Sequence, residues 1–264
     1  MRPSVVHYLG VLLLAGAIHA GELAPSLPAE PTRHPALFLV GDSIMKTGTG
    51  NGERGPWGWG SELEAFFNPA RIHVYNEARG GRSSRSYIEE GSWAHVLERM
   101  QPGDFVLIQF GHNDTWNSPN NPDRATITSN SDDTIQIGIK GQHKVVHSYG
   151  WYLRQYVSDV RAKGATPIIC SPVPRNEWTN GRINRGFDGY AEWAAEAAHA
   201  GGAAFIALNT LVADRLDALG QEKSRDIFND RQHTRKAGAR INAECVVEGI
   251  RELADLPLAA AIKR

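Results

Sequence analysis

Five residues in four separate segments of this 264-residue sequence have side chains or backbone amides that can do chemistry together: Ser43, Gly81, Asn113, Asp230 and His233. A serine hydroxyl is a poor nucleophile at neutral pH, so it needs an imidazole to take its proton and an acceptor to orient that imidazole. Asp230 lies three residues before His233 and can fold back onto the ring in a tight turn. Together these residue types are the components of acyl transfer by a serine nucleophile.

Taken alone, Ser43 has an ordinary explanation. It lies in the stretch VGDSI, from Val40 to Ile44, directly after an apolar run. Serine beside aspartate and glycine after a strand is common turn chemistry, because these short side chains bond nearby backbone groups. The stretch by itself therefore favours a capping residue, and only the other segments favour a nucleophile.

The remaining candidate residues supply hydrogen-bond donors and a turn. A tetrahedral intermediate needs donors aimed at its oxyanion, and loss of one donor commonly raises the barrier by roughly 3 kcal/mol. The backbone amides of Ser43 and Gly81 and the side chain of Asn113 are candidate donors. We also expect a helix to start near Thr234, with Thr234 as its N-cap, and to fix the turn that carries His233.

Alternating elements must position these segments. Apolar runs of strand length occur at 36–40, 72–75, 105–110, 166–170 and 204–208. Helical spacing covers about 59–67, 85–100, 189–200 and 235–253, and most clearly the segment from Val146 to Lys163. The alternation predicts a parallel sheet covered by helices on both faces, a three-layer α/β/α fold. Ligands bind such sheets beyond the carboxyl ends of the strands, where three of the candidate segments lie.

In this order, the segments resemble the SGNH, or GDSL-type, hydrolases over essentially the whole mature chain. Longer stretches are similar to the rhamnogalacturonan acetylesterase branch of that superfamily; these are NEARGGRSSRSY, FGHND, the run VVHSYGWYLRQYVSDVRAKGATPIICSPVPRNEW, and DRQHT. The resemblance implies a flavodoxin-like fold with a five-stranded parallel sheet, no metal, no cofactor, and removal of acetyl groups from plant cell-wall polysaccharide.

The four letters of the superfamily name correspond to Ser43, Gly81, Asn113 and His233. The resemblance thus implies that Ser43, with Asp230 and His233, is catalytic, and that Gly81 and Asn113 complete the oxyanion hole. Gly80 competes with Gly81 for the glycine role. The family pattern, in which the glycine directly precedes the arginine of the motif, favours Gly81.

Substrate contacts are predicted less specifically. The long polar segment 115–141 leaves directly from Asn113 and is expected to form a wall of the substrate cleft. Trp116 and Trp178 offer flat faces for sugar rings, with partial core burial as the alternative. Arg82 and Arg85 have the geometry to meet galacturonate carboxylates, but pairing with nearby glutamates, Glu89 and Glu90, is the favoured interpretation.

These observations predict a secreted carbohydrate O-acetylesterase acting on pectic rhamnogalacturonan. Three alternatives stay open: an acetylesterase acting on xylan, a lipase or thioesterase of the same superfamily, and a carbohydrate-binding protein without activity. The formal net charge of -1 and the absence of a basic stripe exclude nucleic acid as an expected partner. No residue cluster has the spacing of a metal site, since His143 and His147, four apart on an expected helix, lack a third ligand.

The N-terminus has the layout of an export signal. Arg2 precedes an apolar run from Leu9 to Ile18, and small residues follow it. We therefore predict a signal peptide at 1–20, a Pro-rich leader at 21–34 and a single hydrolase domain at 35–264, secreted or periplasmic and with no membrane segment after signal removal. Cys170 and Cys245 are expected to be small core residues, with one disulfide between them as the alternative.

Overall fold

Five parallel strands form the central sheet, in the spatial order β2-β1-β3-β6-β9. They are β1 (Ala36–Gly41), β2 (His73–Asn76), β3 (Phe105–Gln109), β6 (Thr166–Cys170) and β9 (Ala204–Ile206). Counted along the sheet, this is the 2-1-3-4-5 order of flavodoxin-like folds. The predicted five-stranded parallel sheet is confirmed.

Two antiparallel hairpins lie outside that sheet, and eight α-helices complete the described elements. The hairpins are β4 (Thr134–Ile139) with β5 (Gln142–His147), and β7 (Trp178–Thr179) with β8 (Arg182–Ile183). The helices are α1 (Gly60–Leu63), α2 (Ser84–Glu89), α3 (Ser92–Arg99), α4 (Tyr149–Ala162), α5 (Tyr190–Gly201), α6 (Leu208–Leu219), α7 (Gln221–Ser224) and α8 (Lys236–Glu252). Short 3₁₀ turns follow at Glu64–Phe66, Arg225–Ile227 and Pro257–Ala261.

The computed structural model describes residues 33–50, 52, 55–115, 122–139, 141–186, 189–253 and 255–263. Residues 34–264 belong to one compact unit. The predicted signal peptide and nearly all of the predicted leader lie outside the described residues, and so does Trp116. In the described part of the chain, no helix combines the length and apolar character that a bilayer-spanning segment requires.

Helices cover both faces of the sheet because its strands are apolar on both sides. Along β1, Leu37 and Leu39 enter one buried cluster, whereas Phe38 and Val40 enter the other. The first cluster contains side chains of α1, α6 and α8, and the second contains side chains of α2, α3, α4 and α5. Successive strand residues point to opposite faces, so one strand feeds two cores and holds three layers together.

The sequence interpretation was wrong about the start of α4. Val146 was expected on that helix, but it lies in β5, and Ser148 caps α4 by accepting a hydrogen bond from the Trp151 amide at 3.0 Å. Pairing with β4 explains the difference, since Val146 lies opposite Ile135 in the hairpin and is fully buried. His143 and His147 are consequently on a strand, not on a helix.

Other elements also differ from the prediction. The helix expected over 85–100 is divided into α2 and α3 at Gly91, whose φ of 78° interrupts the helical backbone. The polar segment expected to be a loop contains β4, and α6 was not predicted. Cys170 and Cys245 are free and buried, which confirms the expectation of small core residues.

Candidate active site

Ser43 and Asn113 follow neighbouring strands at the point where the sheet order reverses. Ser43 comes two residues after the end of β1, and Asn113 comes four residues after the end of β3. Strands β1 and β3 pair directly, while the chain passes from β1 to β2 on the other side. This topological switch leaves a crevice at the carboxyl edge of the sheet, which is where ligands bind in such folds.

A tight turn presents Ser43. The backbone carbonyl of Asp42 accepts hydrogen bonds from the amides of Met45 and Lys46, at 3.3 Å and 2.9 Å, and its carboxyl accepts one from the Ile44 amide at 2.8 Å. Asp42 and Ile44 are buried, whereas Ser43 between them is half-buried. The turn therefore fixes its own backbone and leaves the hydroxyl accessible.

Ser43, His233 and Asp230 form a continuous hydrogen-bonded chain. The Ser43 Oγ lies 2.9 Å from Nε2 of His233, and His233 Nδ1 lies 2.9 Å from Oδ2 of Asp230. An ionised carboxylate only accepts, so Nδ1 carries the ring proton and the neutral ring turns an unprotonated Nε2 toward the serine. The structure thus brings together the three residues that the sequence proposed as catalytic.

Asp230 is kept ionised by its own turn. Burial would raise the pKa of Asp230, but hydrogen bonds from the backbone amides of His233 and Gln232, together with the His233 ring, lower that pKa to about 2. The two amide bonds measure 2.7 Å and 2.8 Å. The carboxylate therefore both shapes the turn and orients the imidazole.

The role predicted for Thr234 was wrong. Helix α8 begins at Lys236 after an N-cap residue, Arg235, that makes no side-chain cap. Thr234 is buried and donates from Oγ1 to the carbonyl of Trp57 at 3.0 Å, while its own carbonyl accepts from the Trp57 amide at 2.8 Å. Residues 228–235, between the 3₁₀ turn at Arg225–Ile227 and α8, form the histidine loop. The Thr234 side chain joins this loop to the loop that carries Trp57 and does not cap the helix that follows.

Asn113 extends its amide toward the same crevice. Its Nδ2 donates to the backbone carbonyl of Arg82 at 3.1 Å and lies 3.4 Å from Oδ2 of Asp42. The amide therefore sits between the nucleophile turn and the segment after β2. The Asn113 amide can give up its longer contact, the one with Asp42, and donate to an oxyanion that develops in the crevice.

Two buried neighbours hold the loop that carries Asn113. His112 places its Nε2 3.2 Å from the carbonyl of Val173, which requires that nitrogen to donate. Asp114 accepts hydrogen bonds from the Gly111 amide at 3.0 Å and from the hydroxyl of Ser84 at 2.5 Å. The loop is thereby fixed to the segment that follows β6 on one side and to the start of α2 on the other.

Burial also changes the ionisation of these residues. It lowers the pKa of His112 to about 3, with a further contribution from the nearby Arg175 charge, so the ring stays neutral. Burial raises the pKa of Asp42 to about 7 against the lowering effect of the Ile44 amide, and it raises that of Asp114 to about 7 despite the bonds from Ser84. Sequence reasoning missed all three residues, although each adjoins a candidate in the motifs GDS and GHND.

A glycine beside the nucleophile can be required either for its left-handed backbone or for its close approach to the serine. Gly81 has the first property and Gly80 has the second. Gly81 has a φ of 76°, a left-handed conformation that other residues rarely adopt. Gly80 faces the nucleophile, because a Cβ at Gly80 would lie 3.8 Å from that of Ser43. Within the described part of the chain, the backbone amides of Ser43 and Gly81 donate no hydrogen bond, so both remain available to a ligand.

The predicted substrate-binding residues have mixed environments. Arg82 donates to Glu90 at 2.8 Å and to the carbonyl of Gly80 at 2.9 Å, and the fully buried Arg85 lies 3.4 Å from a Glu89 oxygen. These contacts agree with the ion-pairing interpretation.

Trp178, the remaining described candidate for substrate binding, is half-buried. It donates from Nε1 to the side chain of Asn176 at 2.9 Å. The Asn176 amide in turn donates to the carbonyl of Arg231 at 2.8 Å, so this tryptophan adjoins the histidine loop. Its sugar-binding role stays a prediction.

No group of three or more histidine, cysteine, aspartate or glutamate side chains with metal-binding geometry is found among the described residues.

A model of the GDSL-like lipase/acylhydrolase family matches residues 39–241, which include all five candidate residues. The chain belongs to this family. It is accordingly an acylhydrolase, and the resemblance noted from its motifs is confirmed. The match begins within β1 and ends within α8, so it includes part of β1 and all of the other four strands of the central sheet.

Curated relatives match this chain over most of its length and of their own. The sequence is 30% identical over 239 residues to a rhamnogalacturonan acetylesterase of Emericella nidulans, covering 89% of this chain and 90% of the relative. It is 33% identical over 232 residues to a probable rhamnogalacturonan acetylesterase, YesY, of Bacillus subtilis, covering 86% and 96%.

Solved structures show the same fold. The crystal structure of YxiM from Bacillus subtilis superposes with a TM-score of 0.68 at 22% identity, covering 87% of this chain; the chain spans 59% of YxiM. The acetylxylan esterase Axe2 from Geobacillus stearothermophilus superposes with a TM-score of 0.58 at 20% identity, covering 81% of this chain and 93% of Axe2. Proteins with only 20–22% sequence identity to this chain therefore have the same fold.

Proposed function

We propose that this acylhydrolase is a carbohydrate O-acetylesterase that removes acetyl groups from pectic rhamnogalacturonan through a serine acyl-enzyme. The observation that carries the proposal is the hydrogen-bonded chain from Ser43 through His233 to Asp230 at the carboxyl edge of the sheet. The names of the two curated relatives support the substrate class.

Acylation follows from the geometry of this chain. The Ser43 oxygen attacks the acetyl carbonyl carbon while Nε2 of His233, 2.9 Å away, takes the hydroxyl proton. Asp230 stabilises the imidazolium that forms, since its carboxylate is already bonded to the other ring nitrogen. The tetrahedral intermediate collapses when the sugar oxygen leaves and receives the proton from His233.

Deacylation repeats these steps with water. His233 takes a proton from a water molecule as the water oxygen attacks the acetyl-serine carbonyl. Collapse of the second intermediate breaks the bond to Ser43, returns the proton to its oxygen and releases acetate. The same residues act as base and then acid in both halves of the reaction.

Three donors are placed to bind the oxyanion. The amides of Ser43 and Gly81 are without a protein acceptor in the described residues, and Asn113 brings its Nδ2 into the same crevice. Donors held in place before the reaction stabilise the transition state without reorganisation, and each commonly contributes roughly 3 kcal/mol. In this mechanism Asn113 gives up its 3.4 Å contact with Asp42 to bind the charged oxygen.

Acetate release from a panel of acetylated polysaccharides tests the proposal directly. We expect the highest kcat/KM on acetylated rhamnogalacturonan, lower values on acetylated xylan, and the lowest on octanoyl esters. Faster release from xylan would change the substrate assignment, and faster octanoyl turnover would favour a lipase-type enzyme. Absence of Ser43-dependent hydrolysis of any ester would overturn the proposed mechanism.

The proposal includes export to the cell surface or periplasm. It is supported by the charged and apolar layout of residues 1–20 and by a polymeric substrate that lies outside cells. Fractionation of the producing cells, with N-terminal sequencing of the mature protein, tests it. Recovery of the uncleaved chain from the cytoplasm would contradict it.

A further inference from the structure

Two cationic side chains flank the glycine turn beside the nucleophile. A Cβ at Gly80 would lie 3.5 Å from Cδ of Lys46 and 3.8 Å from Cβ of Ser43. A Cβ at Gly81 would lie 3.4 Å from Nη1 of Arg124 and 3.6 Å from its Cζ and Nη2. The Cα atoms of consecutive residues are about 3.8 Å apart, so the stem of Lys46 and the guanidinium of Arg124 lie beside the same short turn.

The backbones of both residues are fixed while their side chains are exposed. The Lys46 amide donates to Asp42 at 2.9 Å, and its carbonyl accepts from Gly58 at 3.1 Å. The Arg124 carbonyl accepts from the hydroxyl of Ser83 at 2.6 Å, which anchors it to the start of α2. A fixed backbone limits the region that each cationic side chain can reach, so part of the conformational freedom is already lost before a ligand binds.

Neither side chain is engaged in an ion pair or a side-chain hydrogen bond with a described residue. Arg82 and Arg85 differ, since Arg82 is paired with Glu90 and Arg85 with Glu89. The arginines that sequence reasoning considered for a uronate are thus occupied, while Arg124 is available. Overall basicity does not explain the free cations, because the whole chain has a formal net charge of -1.

We infer that Arg124 and Lys46 form a carboxylate-binding subsite that receives a uronate carboxylate of the polymer while Ser43 attacks an acetyl group in the adjoining crevice. Arg124 offers a planar guanidinium that matches a carboxylate in two parallel hydrogen bonds, and Lys46 adds a point charge on the nucleophile's side of the turn. The glycine at 81 matters to this subsite, since a Cβ there would already be in van der Waals contact with the Arg124 guanidinium.

This inference rests on the proposed function, because it places a charged polymer across the catalytic crevice. It makes a narrower statement than that function, namely that the enzyme prefers anionic to neutral glycan. The preference comes from specific side chains. It is therefore separable from the catalytic step.

A matched substrate pair measures the preference. One substrate is an acetylated rhamnogalacturonan oligomer with free uronate carboxylates, and the other is the same acetylated oligomer with those carboxylates methyl-esterified. The ratio of the two kcat/KM values cancels any effect on the chemical step that the substrates share. For the wild type we expect a ratio of roughly ten or more in favour of the free acid, falling as salt is added.

Variants locate the subsite. Arg124→Ala should lower the ratio about tenfold, Lys46→Ala less, and Arg124→Lys should retain part of the preference. The control is Arg251→Ala, which removes one exposed charge from the last turn of α8, roughly 22 Å along the helix from Lys236. It should leave the ratio unchanged.

The outcomes separate the two proposals. A wild-type enzyme that deacetylates both oligomers equally, or an Arg124→Ala, Lys46→Ala double variant that keeps the full ratio, would overturn the subsite and leave the acetylesterase proposal standing. Failure of the wild type to release acetate from either oligomer would overturn both. A fall in the ratio confined to the Arg124 and Lys46 variants supports the subsite.

Discussion

The two halves of the proposed catalytic pair are held in different ways. Ser43 sits between residues that are almost completely buried, Asp42 at 1% and Ile44 at 2% exposure, at the end of a central strand. On the other side, the His233 side chain is 27% exposed and that of Asp230 is 46% exposed. The serine is positioned by the core, and the histidine is positioned by a surface loop.

The difference teaches how an exposed loop can hold a reactive ring. An exposed ion pair contributes little by itself, because solvent screens it. The histidine loop instead combines several hydrogen bonds: Asp230 accepts from two backbone amides of its own turn, and Thr234 makes two bonds with Trp57. We therefore expect that substitution of Ser43 removes almost all activity. A substitution in the histidine loop should instead remove one of several contacts that position His233, and so reduce activity only in part.

The largest effect is expected from Ser43→Ala. Loss of the nucleophile should reduce kcat more than a thousandfold, while the melting temperature stays within about 1 °C, because the surrounding turn is held by Asp42 and not by the serine hydroxyl. Ester hydrolysis and thermal unfolding measure the two quantities. The control is Ser158→Ala on the exposed face of α4. Retention of more than about a hundredth of the activity would remove Ser43 from the nucleophile role.

Asn113→Ala should have the next largest effect. If the amide binds the oxyanion, kcat should fall roughly a hundredfold to a thousandfold with little change in KM, because that bond forms mainly in the transition state. Steady-state kinetics separate the two constants, with Asn68→Ala at the opposite edge of the sheet as the control. A rise in KM alone would make Asn113 a substrate-binding residue.

A third prediction concerns the buried loop behind Asn113. Folded His112 stays neutral because its pKa is lowered to about 3, whereas the unfolded ring titrates at its ordinary value of 6.5. Between those values the unfolded state binds the additional proton, so the stability contributed by neutral His112 is lost as pH falls below 6.5. From pH 7 to pH 5 the free energy of unfolding should fall by about 2 kcal/mol more in the wild type than in His112→Gln.

Denaturant unfolding of both proteins at the two pH values gives this double difference. Titrating groups that do not contact residue 112 cancel in it. Asp42, whose Oδ2 lies 3.7 Å from Nδ1 of His112, has a raised pKa of about 7 and gives a contribution of opposite sign in both proteins. Identical pH dependence of the two proteins would show that folding does not lower the pKa of His112.

The smallest effect is expected from Thr234→Val. Valine keeps the shape of threonine but loses the 3.0 Å bond to the Trp57 carbonyl, at a cost of about 1 kcal/mol. We expect kcat/KM to fall about threefold to tenfold and the melting temperature to fall by about 2–4 °C. The control is Thr210→Val on the exposed face of α6. A loss as large as that of Asn113→Ala would mean that a single bond, not several, positions His233.

Local patterns were sufficient to predict the elements that the sheet requires. The apolar runs at 36–40 and 166–170 became β1 and β6 within one residue, because a strand buried on both faces must be apolar throughout. Where burial depends on a partner, the prediction failed. Val146 fits a helical pattern as well as a strand, and only pairing with Ile135 in the hairpin decided between them.

Residue types and their order along the chain also specified the candidate site. Ser43 and Asn113 each follow a strand, and parallel strands have their carboxyl ends at the same edge of the sheet. Asp230 and His233 precede the last long helix. Only the tertiary structure decided which polar groups are occupied. It paired Arg82 with Glu90, turned Thr234 away from α8 toward Trp57, and brought Arg124 beside Gly81 across 43 positions of sequence. Hydrogen bonds and ion pairs act over a few ångströms, so they depend on distances that exist only after the chain has folded.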